Sequence, residues 1–272
     1  FSSRRRHTRL QGDWSSDVCS SDLKLKDIYY HMYPRESDGF IKLVKKHFNA
    51  EYIKTIFDVG SRDGDQSLEL AEAFPNAQIF AFECNPDTLK YCYEKEKLNS
   101  RITVIPKAVN KINGKCSFYK NNIELFNKHK DIPRSYRNGR EDVFIAGGSS
   151  LYSGPESPGS IKRDKIEVDA IRLDTFCDEH GIDSVDLIWM DLEGAELMAL
   201  ESLGDRIKNT KMIWTEASTS AGSSGQQSFF DIKTYLEPFA FDYLHKTRVD
   251  GNVNDDQGHT DVPFINTRLK ER

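Results

Sequence analysis

The sequence predicts an α/β protein with a mainly parallel sheet, helices on both faces of that sheet and an antiparallel hairpin at the end. Short apolar runs alternate with helical patterns from residue 53 onward, and strands that are joined by helices run parallel in one sheet. The last two strand patterns, 241–249 and 260–269, are separated only by a turn-rich stretch, which predicts a hairpin. With 272 residues, of which 38% are hydrophobic, the chain can form one domain with a sizeable core.

The first half contains three strand patterns, preceded by a helical lead-in over residues 24–52. Pro75 stops the helix that follows the first strand. Asn85 can cap the helix after the second strand, and Pro86 can open it. The three predicted strands are 55–59, 78–83 and 102–106.

A long interruption separates these units from the second half. Residues 117–165 are rich in Asn, Gly, Ser and Pro, and such a connection is usually an active-site lid or a disordered insert. The insert holds nine Lys and Arg against six Asp and Glu, which suits either a solvated loop or an acceptor that bears phosphate or carboxylate. The alternation then resumes with strand patterns in 185–194 and 211–217, each followed by a helix. The predicted domain is 53–272.

Residues 1–23 differ from the rest of the chain. They combine an Arg cluster with polar Ser and Asp repeats, and they have neither the apolar segment of a secretory signal nor a helical or strand period. The stretch resembles the translated adapter sequence found at the ends of reading frames from assembled sequencing data. We therefore expect a non-native or disordered leader.

The composition narrows the class of partner. A formal net charge of −5 argues against DNA or RNA as the main partner, because phosphate binding needs a basic face. No apolar run approaches the roughly 18 residues needed to span a membrane. The five cysteines are odd in number and contain no CxxC pair, which favours a reducing cytoplasm and predicts no zinc site. We expect a small-molecule or glycan acceptor, and the sequence indicates no particular oligomeric state.

A candidate cofactor loop follows the first strand. Residues 58–64 read DVGSRDG, and the glycines let the backbone turn sharply and approach a ligand closely, although glycines alone can also mark a simple turn. Glu83 ends the second strand, where a carboxylate can accept hydrogen bonds from both hydroxyls of a ribose. The predicted cofactor-binding residues are Asp58, Gly60, Ser61, Gly64, Glu83 and Asp191.

The loop favours S-adenosylmethionine over NAD. Dinucleotide-binding loops have a middle glycine that lets the pyrophosphate rest on the helix, and Arg62 stands at that position. The acids Asp58, Asp63 and Asp65 would repel a pyrophosphate, whereas they suit the cationic sulfonium and amino group of S-adenosylmethionine.

Three carboxylates near the ends of two central strands are the catalytic candidates: Asp191, Glu193 and Glu216. A carboxylate there can orient the acceptor, act as its base or hold a metal ion. Alternatively, Asp191 contacts the cofactor while Glu193 caps the following helix. We expect Asp191 to orient or deprotonate the acceptor, with Glu193 and Glu216 on the acceptor side, and we predict no metal ligand.

Serines and histidines are further candidates. Ser149 and Ser150 lie in the insert, where they can face the acceptor or belong to an ordinary flexible loop. His180 precedes Gly181 at a helix end, where a cation is favourable, so its predicted role is structural. His129 and His245 can act as bases, but their spacing does not indicate it.

Three blocks of this sequence resemble the FkbM family of S-adenosylmethionine-dependent methyltransferases, in the order that the family shows. The blocks are FDVGSRDGDQSLELAEAFPNAQIFAFECNPDTL, GGSSLYSG and IRLDTFCDEHGIDSVDLIWMDLEGAELMALESL. The resemblance implies a Rossmann-like class I methyltransferase fold with a seven-stranded sheet, and O-methylation of sugars or natural products. It also implies a cofactor loop with Asp58, Gly60 and Gly64, a ribose contact at Glu83 and a motif at 191–194.

The sequence departs from the family pattern at two places. Ser61 and Arg62 stand where the family often has Ala and Asn, and Cys84 stands where Pro is common. Arg62 is therefore expected to reshape the acceptor side. Two other functions stay open at this point: an N-methyltransferase, which needs no strong base, and an inactive module that binds the cofactor or a partner.

Overall fold

The computed structural model describes residues 37–122, 141–154, 162–218, 225–244 and 259–270. The predicted leader, the central parts of the predicted insert, and both His129 and His245 lie outside these residues. Within them, no helix is both long enough and apolar enough to cross a membrane.

Ten strands occur in the described part of the chain. In chain order they are β1 (Thr55–Val59), β2 (Gln78–Phe82), β3 (Ile102–Ile105), β4 (Ala108–Val109), β5 (Gly114–Asn121), β6 (Arg163–Ile171), β7 (Leu187–Met190), β8 (Met212–Ser218), β9 (Phe241–Tyr243) and β10 (His259–Asn266).

Seven of the strands form one sheet in the order β3-β2-β1-β7-β8-β10-β9. The pairs among β3, β2, β1, β7 and β8 are parallel, and β10 is antiparallel to both of its neighbours. Asp58 pairs with Trp189, so β1 and β7 end side by side. The structure thus confirms the predicted seven-stranded, mainly parallel sheet and its closing antiparallel pair.

Helices cover both faces of this sheet, as predicted. The described α-helices are α1 (Asp38–His47), α2 (Asp65–Ala73), α3 (Leu89–Leu98), α4 (Glu141–Gly147), α5 (Leu173–His180), α6 (Glu196–Ser202) and α7 (Phe229–Leu236). One core joins α5, α6 and α7 to the sheet, and the other core joins α1 and α2 to its opposite face.

Alternation along β1 explains why two cores form. Phe57 and Val59 point into the core of α5 to α7, whereas Ile56 points into the core of α1 and α2, because successive side chains of a strand face opposite sides. In the second core, Phe40 of α1 packs on the stacked rings of Trp189 and Trp214, whose centroids are 5.5 Å apart. These contacts fix α1 against β7 and β8.

A second sheet of three strands, in the order β4-β6-β5, corrects the predicted insert. Residues 117–121 and 163–165 were expected to be irregular, but they belong to β5 and β6, which pair antiparallel along their length. Four of the eight residues of β5 are half buried and two are exposed, and Phe118 is its one buried apolar side chain, so the strand has no clear apolar period. Helix α4 also lies inside the insert and was not predicted.

Candidate functional site

A cleft lies at the edge of the main sheet where its parallel strands end. It contains about 610 Å³ of free space, including its open mouth. Gly60 follows β1, Glu83 follows β2, Lys107 follows β3 and Asp191 follows β7, and all four line the cleft. The insert closes another side with Ala146 and Gly147 of α4 and with Ser149, Ser150 and Leu151. Ligands of such sheets bind at this edge.

Gly60 is required by a close contact between two chain segments. Its φ is +85°, and a Cβ at this position would lie 1.9 Å from the carbonyl oxygen of Asp191. The N–H groups of Gly60 and Ser61 both donate to the carbonyl of Phe82. The loop after β1 is therefore held between the ends of β2 and β7, with its backbone on the cleft wall.

Asp58 fixes the conformation of the loop after β1 through hydrogen bonds to its side chain. Its side chain is fully buried and accepts hydrogen bonds from the hydroxyls of Ser61 and Ser67. Burial raises the pKa of Asp58 to about 6, against the lowering effect of the two hydroxyls. Of the predicted cofactor residues, Asp58, Ser61 and Gly64 do not line the cleft, whereas Gly60, Glu83 and Asp191 do. The first three determine the loop conformation.

Glu83 is held by the backbone on both sides. One carboxylate oxygen accepts from the N–H of Arg62 at 2.7 Å, and the other accepts from the N–H of Asn85 at 2.6 Å. Burial raises the pKa of Glu83 to about 7, and these backbone donors oppose the rise. A carboxylate has about four lone-pair sites, and Glu83 also accepts from the backbone of Cys84, so about one acceptor position remains for a ribose hydroxyl.

The loop therefore fits an adenosine cofactor with a cationic end. Within the described part of the chain, the second oxygen of the Asp58 carboxylate is buried and has no hydrogen-bond partner. Such an atom is normally satisfied by a ligand or by water. Gly60 has no side chain, so its backbone can lie against a ligand, and Glu83 retains acceptor capacity for a ribose. Together these features suit S-adenosylmethionine.

Asp191, Glu193 and Glu216 lie together near the carboxyl ends of β7 and β8, and we call them the acid trio. One carboxylate oxygen from each lies within 4.8 Å of the other two, a spacing that can hold a metal ion. Asp191 is exposed, and the other two are half buried. Asp191 also lines the cleft, so it is the residue that the cleft and the trio share.

The trio retains protons near neutral pH. Burial, followed by repulsion from Asp191, raises the pKa of Glu193 to about 7. Burial, followed by repulsion from Asp191 and Glu193, raises the pKa of Glu216 to about 9. Asp261 adds to this repulsion because it stands directly opposite Glu216 in the β8 and β10 pair. Nothing in the sequence pattern pointed to Asp261, because the register of that pair is set by tertiary structure.

The carboxylate that holds the start of α6 is Glu196. It accepts from the N–H groups of Leu192 and Gly194 at 3.0 and 3.2 Å. The alternative in which Glu193 caps this helix is therefore wrong. Glu193 instead has a φ of +52°, which turns the chain between Asp191 and the helix and leaves the Glu193 carboxylate in the trio.

Both predicted serines line the cleft, but their hydroxyls bond to the protein. Ser149 Oγ accepts from the N–H of Asn121, and Ser150 Oγ donates to the carbonyl oxygen of Glu193 at 3.0 Å. His180 has the structural role that was predicted. Its ring stacks on Phe176 with centroids 4.1 Å apart, and its Nδ1 lies 2.9 Å from the carbonyl oxygen of the same residue.

We expect Glu216→Gln to stabilise the protein at high pH. A carboxyl whose pKa is raised by folding binds more protons when folded, so stability falls as the pH rises between its ordinary value of 4.5 and its folded value of about 9. The amide cannot ionise. At pH 9 the variant should melt higher than the wild type by about 2–4 °C, the shift that corresponds to about 1 kcal/mol in a domain of this size.

Melting curves at pH 5, 7 and 9 test this, with Glu94→Gln on the exposed surface of α3 as the matched control. The control should follow the wild type at every pH. If Glu216→Gln also follows it, ionised Glu216 is not repelled by its neighbours.

Comparison with known proteins agrees with this geometry. Residues 58–243 match the model of the Methyltransferase FkbM domain, which is more than half of the chain. Over 198 residues the chain is 29% identical to the 2-O-methyltransferase NoeI of Sinorhizobium fredii, covering 73% of this chain and 77% of that protein.

Two solved structures illustrate the structural likeness. One is TrmK of M. capricolum in complex with S-adenosyl-homocysteine, with 12% identity, a TM-score of 0.39 and coverage of 86% of this chain and 70% of that one. The other is a SAM dependent methyltransferase from Aquifex aeolicus, with 15% identity, a TM-score of 0.39 and coverage of 89% and 97%. The assignment to a family rests on the domain match.

Proposed function

Because the chain belongs to the FkbM methyltransferase family, we propose that it transfers a methyl group from S-adenosylmethionine to a hydroxyl group of a sugar or another small metabolite. Membership makes it an S-adenosylmethionine-dependent methyltransferase. The oxygen acceptor and its class are the proposed part. The observation that carries them is Asp191, which belongs both to the cofactor cleft and to the acid trio.

The lining of the cleft supports a role for two of its residues in cofactor binding. Glu83 would hold the ribose, and the backbone at Gly60 would lie against the ligand because no side chain intervenes. Asp58 lies behind the loop rather than on the cleft wall, so its charge would favour the positive end at a distance. When bound, S-adenosylmethionine supplies a methyl group on a sulfonium, which is an excellent leaving group. The protein has mainly to hold the nucleophile close, aligned and dry.

A hydroxyl acceptor must also lose a proton, and a carboxylate of the acid trio can accept that proton. We propose that Asp191 orients the hydroxyl and accepts its proton, since it is the member of the trio on the cleft wall. Glu216, with a pKa of about 9, holds its own proton at neutral pH and limits the negative charge around Asp191. Glu193, with a pKa of about 7, is near the midpoint of its titration there.

A neutral polyhydroxyl acceptor fits this end of the cleft best. The charge that remains on Asp191 and partly on Glu193 would repel a phosphate or carboxylate on the acceptor, whereas carboxyl oxygens can accept hydrogen bonds from hydroxyls. This weighs against the anionic acceptor that the basic insert suggested. The name of the relative NoeI, a 2-O-methyltransferase, also supports an oxygen acceptor.

One experiment separates this proposal from its two alternatives. The protein is incubated with radiolabelled S-adenosylmethionine and a panel of neutral methyl glycosides, amino sugars and sugar phosphates. We expect label on neutral glycosides and a carbon–oxygen bond to the new methyl group by NMR. Label on nitrogen would establish an N-methyltransferase, and binding without transfer to any acceptor would favour an inactive module.

The proposed setting is the cytoplasm, with no nucleic acid or membrane as a partner. The four cysteines in the described part of the chain are free thiols, which agrees with a reducing compartment. The net charge of −5 agrees with a partner other than nucleic acid.

We expect Glu83→Ala to weaken S-adenosylhomocysteine binding by about 1–3 kcal/mol, the usual size for hydrogen bonds to a charged group. The variant also loses the acceptors for the Arg62 and Asn85 N–H groups, so Glu83→Gln, which keeps one of those acceptors, should lose less. Calorimetry measures the affinities. Glu94→Ala on the surface should bind like the wild type, and NAD should give no heat with any variant. Unchanged affinity in Glu83→Ala would remove the ribose assignment.

A further inference from the structure

The turn that carries two members of the acid trio is strained. Glu193 has a φ of +52° and Gly194 a φ of +102°, so two successive residues are left-handed. For a residue other than glycine this conformation is unfavourable, and it persists only where the surroundings enforce it. Glu196 accepts from the N–H groups of Leu192 and Gly194, the residues on either side of Glu193. The carbonyl of Glu193 must be held by other residues.

Two side chains from distant segments donate to that one carbonyl oxygen. Ser150 Oγ lies 3.0 Å from it and comes from the insert, and Gln226 Nε2 lies 3.1 Å from it and comes from the segment before α7. Gln226 packs directly on Gly194, where a Cβ would lie 2.4 Å from its Cγ. The glycine therefore makes room for the glutamine. We call this pair of donors the clasp.

The serine side of the clasp is itself held firmly. The guanidinium of Arg163 donates to the carbonyls of Gly148 and Tyr152 at 2.6 and 2.8 Å, one on each side of the serine pair. Backbone bonds between Ser150 and Tyr119 join the same segment to β5. The small sheet thus sets the position of Ser150, and no sequence motif links Arg163 or Gln226 to the site.

We propose that Ser150 and Gln226 are positioning residues that keep Asp191 and Glu193 in the acid trio by holding the carbonyl of Glu193. Either donor alone keeps the turn closed but holds it less firmly, and the loss of both lets it open and separates the carboxylates. The proposal rests on the proposed function, because it takes the trio as the group that handles the acceptor. Its structural part can be measured without any acceptor.

The test compares Ser150→Ala, Gln226→Met and the double variant. Met keeps the length of Gln226 without its donor, and Ser150→Thr keeps the hydroxyl as a rescue variant. Gln227→Met is the matched control, since that amide bonds Tyr152 and Gly225 rather than Glu193. The readouts are hydrogen exchange of residues 190–196, S-adenosylhomocysteine affinity, and kcat and KM with the methyl glycoside methylated fastest in the panel.

We expect each single variant to lower kcat about threefold to tenfold, as for one hydrogen bond, and the double variant to lower it by more than the product of the two. Exchange at Leu192 and Gly194 should rise about tenfold or more in the double variant only, since local opening follows the lost contacts. Ser150→Thr should recover most of the kcat that Ser150→Ala loses. The S-adenosylhomocysteine affinity of every variant, and the kcat of Gln227→Met, should stay within about twofold of the wild type.

Unchanged exchange and unchanged kcat in the double variant would overturn the proposal. Equal losses of kcat and S-adenosylhomocysteine affinity would overturn it as well, because the pair would then support the whole cleft. If the wild type binds S-adenosylhomocysteine but methylates no glycoside, the proposed function fails. In that case hydrogen exchange alone decides. Faster exchange in the double variant, reversed when Ser150→Thr replaces Ser150→Ala beside Gln226→Met, supports the clasp. Unchanged exchange refutes it.

Discussion

Asp191→Asn is expected to lower kcat about 100-fold or more, the usual size for the loss of a general base. The amide has nearly the same shape as the carboxylate, but it cannot accept a proton from the acceptor hydroxyl. Asp191 is exposed at the cleft wall, so the substitution removes no buried charge. S-adenosylhomocysteine affinity should stay within about twofold of the wild type if Asp191 acts on the acceptor alone.

Glu193→Gln is the companion variant, since it removes a charge from the trio without touching the cleft wall. It should lose less activity than Asp191→Asn. Equal losses of cofactor affinity and rate in Asp191→Asn would instead make Asp191 a cofactor ligand. Each assay is repeated in excess EDTA, where we expect full activity because protons on Glu216 and Glu193 already offset the charge of the trio. If EDTA abolishes the activity and Mg²⁺ restores it, the trio binds a metal ion that the reaction needs.

The main sheet and the cofactor side were predictable because they depend on local patterns. Apolar runs that alternate with helical periods define parallel strands, and the carboxyl ends of such strands must meet at one edge. That rule alone placed Glu83 and Asp191 on one cleft and suggested that Glu216 lies near Asp191. The φ of Gly60 also follows from its residue type, since glycine marks the turn.

The acid trio and the clasp were less predictable because their contacts join segments that are far apart in sequence. The hydrogen bonds from Ser150 and Gln226 to Glu193 span 43 and 33 residues. Strand β5 has too few buried apolar residues to show a period of two, so the small sheet that holds Arg163 was hidden. The left-handed conformation of Glu193 is also contrary to its residue type, and only its tertiary contacts explain it.

Gly60→Ala is expected to destabilise the protein by about 3 kcal/mol or more, because it combines backbone strain with a clash between two backbone segments. The new Cβ would lie 1.9 Å from the carbonyl oxygen of Asp191, and backbone on that side is tied into β7. We expect the melting temperature to fall by about 6 °C or more. S-adenosylhomocysteine binding should be lost, since the loop after β1 must move away from the end of β7.

Gly181→Ala separates the two causes. Gly181 also has a left-handed φ, +64°, but a Cβ there meets no atom within 4 Å, so this variant bears only the backbone cost of about 1–2 kcal/mol. It should bind S-adenosylhomocysteine like the wild type. The difference between the two variants in unfolding free energy measures how closely the loop after β1 approaches Asp191. If both variants are equally destabilised, a Cβ at Gly60 does not clash with Asp191. Glycine would then be needed at this position only for its left-handed φ.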